Sequence, residues 1–244
     1  NPDDRAFEAP DLIDVMDAAV RYNRYLHERI VRWADGTHKL LDFGAGNGRF
    51  ASGLVQMGFD VCAIEADPHL RDRIASKGIP SHGSLSAAPR CEFDGVYTLN
   101  VLEHIQDDEE ILGQLAERIR PGGGLFVYVP AFPILFSAND ERVGHFRRYR
   151  RTDLTRKIER AGLSVESARY VDSVGFVAGL AYRWFGDREG DLDPRAVRFY
   201  DRFLFPASRA LDRFAGHFFG KNLLVLARKS ADSIAGRDSI EMRS

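Results

Sequence analysis

Residues 39–50, KLLDFGAGNGRF, decide how the rest of the chain is read. An apolar run closes on three alternating glycines, Gly44, Gly46 and Gly48, and a helix-forming stretch follows from Arg49. This describes a strand that opens into a tight turn and then a helix. Glycine tolerates positive φ and carries no Cβ, so a ligand can approach such a turn closely.

Working outward, strand and helix signals alternate. FDVCAIE (59–65) reads as a second strand, with Pro68 where a first helical turn accepts it. FDGVYTLN (93–100) reads as a strand, 108–120 as a helix, PGGG (121–124) as its stop, and GLFVYVP (124–130) as a further strand. That order predicts a parallel α/β sheet with helices on both faces. Upstream, Asp11 is expected to cap a helix running to about residue 34, which serves as a lid or packs on the domain. Downstream, 131–151 reads as a loop, Thr152 as the cap of a short helix ending at Gly162, 163–171 as a strand, and 222–229 as a last apolar strand. Between them, 172–220 is aromatic-rich and expected to be helical with breaks. The first ten residues and the tail after Lys229 are expected to be loose.

Bulk numbers exclude some classes. The 244 residues carry a net charge of -2, so no global field draws the protein to nucleic acid or acidic lipid. Two cysteines, Cys62 and Cys91, give no disulfide framework and fit a reducing cytoplasm. No apolar run reaches the roughly 18–20 residues of a membrane span.

Three features sharpen the glycine loop. Its GxGxG spacing puts Arg49 where a dinucleotide fingerprint needs its third glycine. Glu65 ends the second strand, where a carboxylate can accept from both hydroxyls of a ribose. The fourth strand ends in NVLEH (100–104). Taken together, LLDFGAGNGRF, AIEADPHL, FDGVYTLNVLEHI and IRPGGGLFVYVP resemble, in order and spacing, the signature segments of class I S-adenosylmethionine-dependent methyltransferases, over residues 39–130.

The resemblance implies a Rossmann-like α/β sheet of seven strands, antiparallel only near its end. With the segments before and after it, the chain is expected to divide into a lid helix over 1–35, a cofactor-binding core over 36–171, an inserted helical substrate or cap region over 172–221 whose aromatics wall a substrate or form its core, the last core strand over 222–229, and a disordered tail over 230–244. The resemblance also implies a cofactor site for S-adenosylmethionine, with S-adenosylhomocysteine as product. Asp42 would brace the loop, and Gly44, Ala45 and Gly46 would pack on the methionine part. Glu65 would hold the ribose and Ala66 touch the adenine, with Ser84 and Leu85 standing where the family often has an acidic residue. Asn100, Val101 and Leu102 would line the sulfonium end, and Tyr22 or Tyr25 would close over the cofactor.

Methyl transfer needs a base only when the acceptor carries a proton of high pKa, such as a hydroxyl. His145 is the first candidate, and otherwise it orients its loop. His104 is the second, and otherwise it caps or packs at a helix start. Asp140 and Tyr149 follow. Glu103-His104 matches a pair associated with a divalent cation in related quinone-precursor O-methyltransferases, but Asn100 replaces an acidic partner there, so no metal is expected.

GHFRRYRRTDL (144–154) concentrates basic and aromatic residues, and Arg147, Arg148, Tyr149 and Arg150 are candidates to bind the substrate. Guanidinium groups favour a carboxylate or phosphate. The same residues also read as a salt-bridged loop, or as a surface for phosphate polymers or lipids. The expected substrate is a small molecule, anionic, aromatic or lipid-linked. Two other classes stay open: a nicotinamide-dependent oxidoreductase and a nucleic-acid-binding protein using the arginines. Residues 197–219 mix basic and aromatic positions at helical spacing, which leaves room for peripheral membrane contact.

Overall fold

Alternation along each strand sends side chains to opposite faces, and here both faces are buried, as a parallel sheet requires. A computed structural model of the chain describes residues 15–88, 93–185 and 194–231. The expectations for the first ten residues, for Asp11 as a cap, for Cys91 and for most of the tail lie outside these residues.

Seven strands form one sheet in the order β3-β2-β1-β4-β5-β7-β6: β1 Lys39–Phe43, β2 Asp60–Ile64, β3 Ser81–His82, β4 Phe93–Leu99, β5 Ile119–Pro130, β6 Leu163–Val171 and β7 Asn222–Lys229. Neighbours are parallel except where β7 enters antiparallel between β5 and β6. One face packs on α1 (Val20–Trp33), α2 (Arg49–Gln56) and α3 (Pro68–Ala75). There Leu26, Ile30, Leu54 and Ile74 meet Leu40, Tyr97, Phe126 and Tyr128. On the other face, Leu112 and Leu115 of α4 (Asp108–Arg118) and Leu154 and Ile158 of α6 (Arg151–Arg160) meet Leu41, Val96, Leu125 and Val127.

Residues 131–151 are more ordered than a loop: a 3-10 turn at Pro133–Leu135 precedes α5, Ala138–Arg142. After β6 come α7 (Ser173–Phe185), α8 (Pro194–Phe199), a π turn at Tyr200–Leu204, and α9 (Phe205–Ala215). Asp172 joins β6 to these helices at φ 69, uncommon for a residue other than glycine. Its carboxylate accepts from the Gly175 amide and from the hydroxyls of Ser208 and Tyr200, which ties α7, α9 and the π turn to one strand end. No helix among the described residues is long and apolar enough to cross a membrane.

Several boundaries differ from those predicted. The lid helix does not run unbroken to Ala34: the chain leaves helical geometry at Ala19 (ψ 68), and the Arg21 and Tyr22 amides of α1 donate to the buried Asp201. PGGG does not stop a helix before β5 but lies within it. Phe93 pairs with Ile119, and the register then shifts so that Gly95 meets Gly124. Those two glycines make room for Trp33, since a Cβ on Gly95 would sit 2.6 Å from its ring. Arg150, not Thr152, occupies the cap of α6.

Candidate active site

The loop after β1 is made by its backbone. Gly44, Gly46 and Gly48 have φ of 78, 55 and 72°. At Gly44 the absence of a side chain is compulsory as well, because a Cβ would lie 2.2 Å from Cγ2 of Val101. The Gly44 and Ala45 amides donate to the Ile64 carbonyl at 2.8 and 3.0 Å, which pins the turn against the end of β2. Glu65 continues that end. Its Oε2 accepts from the Gly46 amide at 2.7 Å and its Oε1 from the Asp67 amide at 3.0 Å. A carboxylate has about four lone-pair sites, so two remain for a ligand's hydroxyls. Ala66 follows, its carbonyl held by Arg71.

Beneath the loop Asp42 is buried, and its Oδ2 has no hydrogen-bond partner. Burial pushes its carboxyl up to about 7, against the Tyr97 hydroxyl beside it and with the help of the Glu65 charge. A cradle that a Cβ would fill and a carboxylate with spare acceptor sites fit an adenosyl cofactor. Ser84 is exposed and its hydroxyl meets that of Ser86 at 2.9 Å, while Leu85 is buried with its carbonyl bonded to Arg118. Asn100 does not cap the next turn. It takes φ 53, donates its amide to the Tyr128 carbonyl, and leaves Val101 as the cap of the 3-10 turn Leu102–His104. The Tyr22 hydroxyl lies 3.1 Å from that of Tyr128 at the same strand ends, its pKa raised by burial.

The turn after β4 meets the loop after β5 in a cluster of buried charge. The Phe146 amide donates to the Glu103 carbonyl at 2.7 Å, which seats His145 against the turn. Asp140 is 1% exposed and lies 2.7 Å from His145 Nδ1, while Arg148 grips it with two nitrogens at 2.8 and 3.0 Å. Burial raises the Asp140 carboxyl, but His145 and Arg148 outweigh it and hold it well below the ordinary range. An ionised carboxylate only accepts, so His145 carries its proton on Nδ1. Its Nε2 then faces Glu103 at 3.9 Å, beyond hydrogen-bond reach.

Glu103 is fully buried, and neither carboxylate oxygen has a hydrogen-bond partner. Burial pushes it up to about 8, with Arg148 opposing and Asp140 reinforcing. His104 packs edge-on to His145 at 4.6 Å between ring centres, and burial followed by the neighbouring His145 brings it down to about 4. Glu103, His104 and His145 each offer a ligand atom within 4.8 Å of the others, a donor set that could hold a metal ion despite Asn100.

The candidate substrate residues divide. Tyr149 is buried in the core, its hydroxyl 2.7 Å from Asp108 and 3.0 Å from the Leu102 carbonyl. Arg147 pairs with Asp108 at 2.9 Å and bonds the Gln106 carbonyl. Arg148 is engaged with Asp140, and Arg151 bonds the His217 carbonyl. These residues build the loop, and Arg150 is the exposed member of the group. Asp108 escaped the sequence reading because its three partners, Arg147, Tyr149 and Lys157, all lie far along the chain. Asp140 had a local signal, since Ser137 and Asp140 form a capping box.

Residues 17–168 match a family described as a methyltransferase domain. Ubiquinone biosynthesis O-methyltransferase of Paramagnetospirillum magneticum is 35% identical over 92 residues, 34% of this chain and 37% of that protein. Its namesake in Caulobacter vibrioides is 33% identical over 98 residues, 36% of this chain and 39% of that protein. The match thus spans about two fifths of the length of these curated relatives. A SAM dependent methyltransferase from Archaeoglobus fulgidus shares the fold at a TM-score of 0.55 and 14% identity, over 83% of this chain and 90% of that one. An S-adenosylmethionine dependent methyltransferase from Mesorhizobium loti does so at 0.55 and 17%, over 80% and 92%.

Proposed function

This chain belongs to the methyltransferase-domain family, and from that premise we propose that it methylates a hydroxyl oxygen of a small molecule by in-line displacement, converting S-adenosylmethionine to S-adenosylhomocysteine. When bound, the cofactor supplies a methyl carbon activated by positive sulfur. The protein's part is to align the acceptor and take its proton, and alignment is worth up to roughly 7–11 kcal/mol.

In this reading Gly44, Ala45 and Gly46 hold the methionine part, and Asp42 supports them from below. Glu65 holds the ribose. Ala66, Ser84 and Leu85 border the adenine, while Tyr22 and Asn100–Leu102 close the sulfonium end. The observation that carries the base assignment is the Asp140–His145 pair at 2.7 Å. It fixes the imidazole tautomer and leaves the Nε2 lone pair to receive the acceptor's proton. The His145 side chain keeps 15% of its surface exposed. His104, neutral at physiological pH, shapes the same wall. Arg150 is the guanidinium left to meet an anionic group on the acceptor. The curated relatives are named as O-methyltransferases of ubiquinone biosynthesis, so we take a phenolic hydroxyl as the first acceptor to try. Two cysteines with no disulfide framework suit action in a reducing cytoplasm.

Calorimetry with S-adenosylmethionine and with NADH, followed by S-adenosylhomocysteine release on a panel of phenols and hydroxy acids, tests this reading. Binding of NADH and not of S-adenosylmethionine would overturn it. Glu103, His104 and His145 could instead hold a divalent cation. Turnover unchanged by a chelator is expected with His145 as base, and a loss restored by added metal would reassign the three as ligands.

A further inference from the structure

The helices after β6 present a surface to which the function proposed above assigns no role. From Pro194 to Ala215, α8, the π turn and α9 follow one another without a break, and their residues sort into three faces. Asp201, Phe205, Ser208 and Ala215 are buried against the domain. A second face is apolar and stands in solvent. Phe199 and Phe203 are 58% and 56% exposed, Leu211 44%, Phe214 77%, and Phe218, just past the helix, 76%. A π turn holds more residues than an α turn. The rings of Phe199 and Phe203, on either side of the start of that turn, lie tilted to each other at 5.2 Å between centres.

The third face is basic. Arg198, Arg202 and Arg209 line a groove of about 620 Å³ together with Arg21 and Arg24 of α1. Two carboxylates share the groove, Glu28 and Asp201, and Asp201 is buried and already accepts from two amides of α1. Five guanidinium groups therefore dominate it. None of Gly44–Gly48, Glu65, Asn100 or His145 lines this groove, so it is separate from the candidate active site.

We propose that this face docks the protein on a bilayer containing anionic phospholipid, with the phenylalanine row entering the acyl boundary and the arginine groove taking lipid phosphates. The charge and the apolarity argue for this occupant together. An amphipathic helix that lies in a bilayer interface carries bulky apolar residues on one side and Arg or Lys beside them, and anionic headgroups attract the cations. An apolar row this exposed is unusual on a monomer that meets nothing. A second copy of the chain packed on the phenylalanine row would cover the apolar face and bring no anion to the arginine groove. A nucleic acid would engage the arginines and leave the phenylalanines wet.

Co-sedimentation of the full chain with vesicles tests the proposal, and it reads no methyl transfer, so its outcome is independent of the function proposed above. The protein is expected to pellet with vesicles of phosphatidylcholine mixed with phosphatidylglycerol, and about tenfold less with phosphatidylcholine alone. Replacing Phe214→Ser and Phe218→Ser together should cut partition by about tenfold or more at an unchanged melting temperature. Arg198→Gln and Arg202→Gln should each cost about fivefold at low salt, an effect that fades as salt is raised. Wild-type protein left in the supernatant with both vesicles overturns the proposal. So does a phenylalanine variant that binds like wild type. A dimer in sedimentation equilibrium that the phenylalanine variant dissolves, without any vesicle binding, gives the surface to a second copy and overturns it too.

Discussion

The two edges of the candidate site are built from different materials. The edge at β1 and β2 is backbone: glycines at positive φ, amides pinned to the Ile64 carbonyl, and one carboxylate received by two N–H groups. The edge at the turn after β4 is side chain: Glu103, His104, Asp140, His145 and Arg148, gathered from segments some forty residues apart around the Asp140 carboxylate that His145 and Arg148 hold. A backbone edge tolerates change poorly at a few positions and is indifferent elsewhere. A buried charge cluster spreads its sensitivity, because removing one member leaves the others unpaired in a poor solvent.

That contrast can be broken at four points, in falling order of effect. His145→Ala should lower turnover by about 10²–10⁴-fold while S-adenosylmethionine affinity stays within a few-fold. Asp140→Asn should follow it most of the way, and stopped-flow or steady-state assays with the cofactor saturating would show it. A His145 variant that turns over like wild type removes the side-chain edge from the chemistry.

Gly44→Ala comes next. Left-handed backbone costs a residue with a Cβ about 1–2 kcal/mol, and forcing that carbon against Val101 adds about 1–3 kcal/mol. The expected result is a lower melting temperature together with lost cofactor binding, whereas Ala45→Gly should be mild. Were Gly44→Ala tolerated in both measurements, the backbone edge would not be what holds the site.

Glu65→Ala should weaken S-adenosylmethionine about 10–100-fold, as expected for charge-assisted hydrogen bonds of about 1.5–3 kcal/mol, without unfolding the domain. Calorimetry giving an unchanged affinity would sink the cofactor assignment.

The smallest effect concerns pH. Glu103 titrates near 8 in the fold against an ordinary 4.5, so the folded protein keeps a proton that the unfolded chain has released. Its contribution to stability is whole below pH 4.5 and is lost as pH rises toward 8, at roughly 1.4 kcal/mol per unit. Glu103→Gln removes that slope, and its stability relative to wild type should climb between pH 6.5 and 7.5 in urea titrations. Parallel curves for the two proteins would mean that Glu103 is ionised in the fold.

The same contrast explains what the sequence could tell. Glycine spacing, the carboxylate at the end of β2 and the strand–helix rhythm are local, and local patterns survive in one dimension. Gly44 could be placed from its neighbours, although its contact with Val101, a residue of β4's turn, could not. The charge cluster is a product of pairing at a distance. From GHFRRYRRTDL alone, Arg147 and Arg148 look available to a ligand, and only folding shows Asp108 and Asp140 underneath them. The break at Ala19 was hidden for the same reason, since the carboxylate that receives the α1 amides is Asp201, far down the chain. PGGG misled because its last glycine answers to Trp33 and not to a helix end.

The place of β7 bears on how the molecule comes into being during synthesis. β5 pairs along one side with β4, and along the other with a strand that leaves the ribosome much later, after β6 and every helix of the cap. Until then LFVYVP offers an unpaired apolar border, the kind of edge that recruits other chains. Nascent protein stalled between Val171 and Asn222 is therefore the aggregation-prone species, and translation speed through the cap should govern how much of this protein a cell recovers folded.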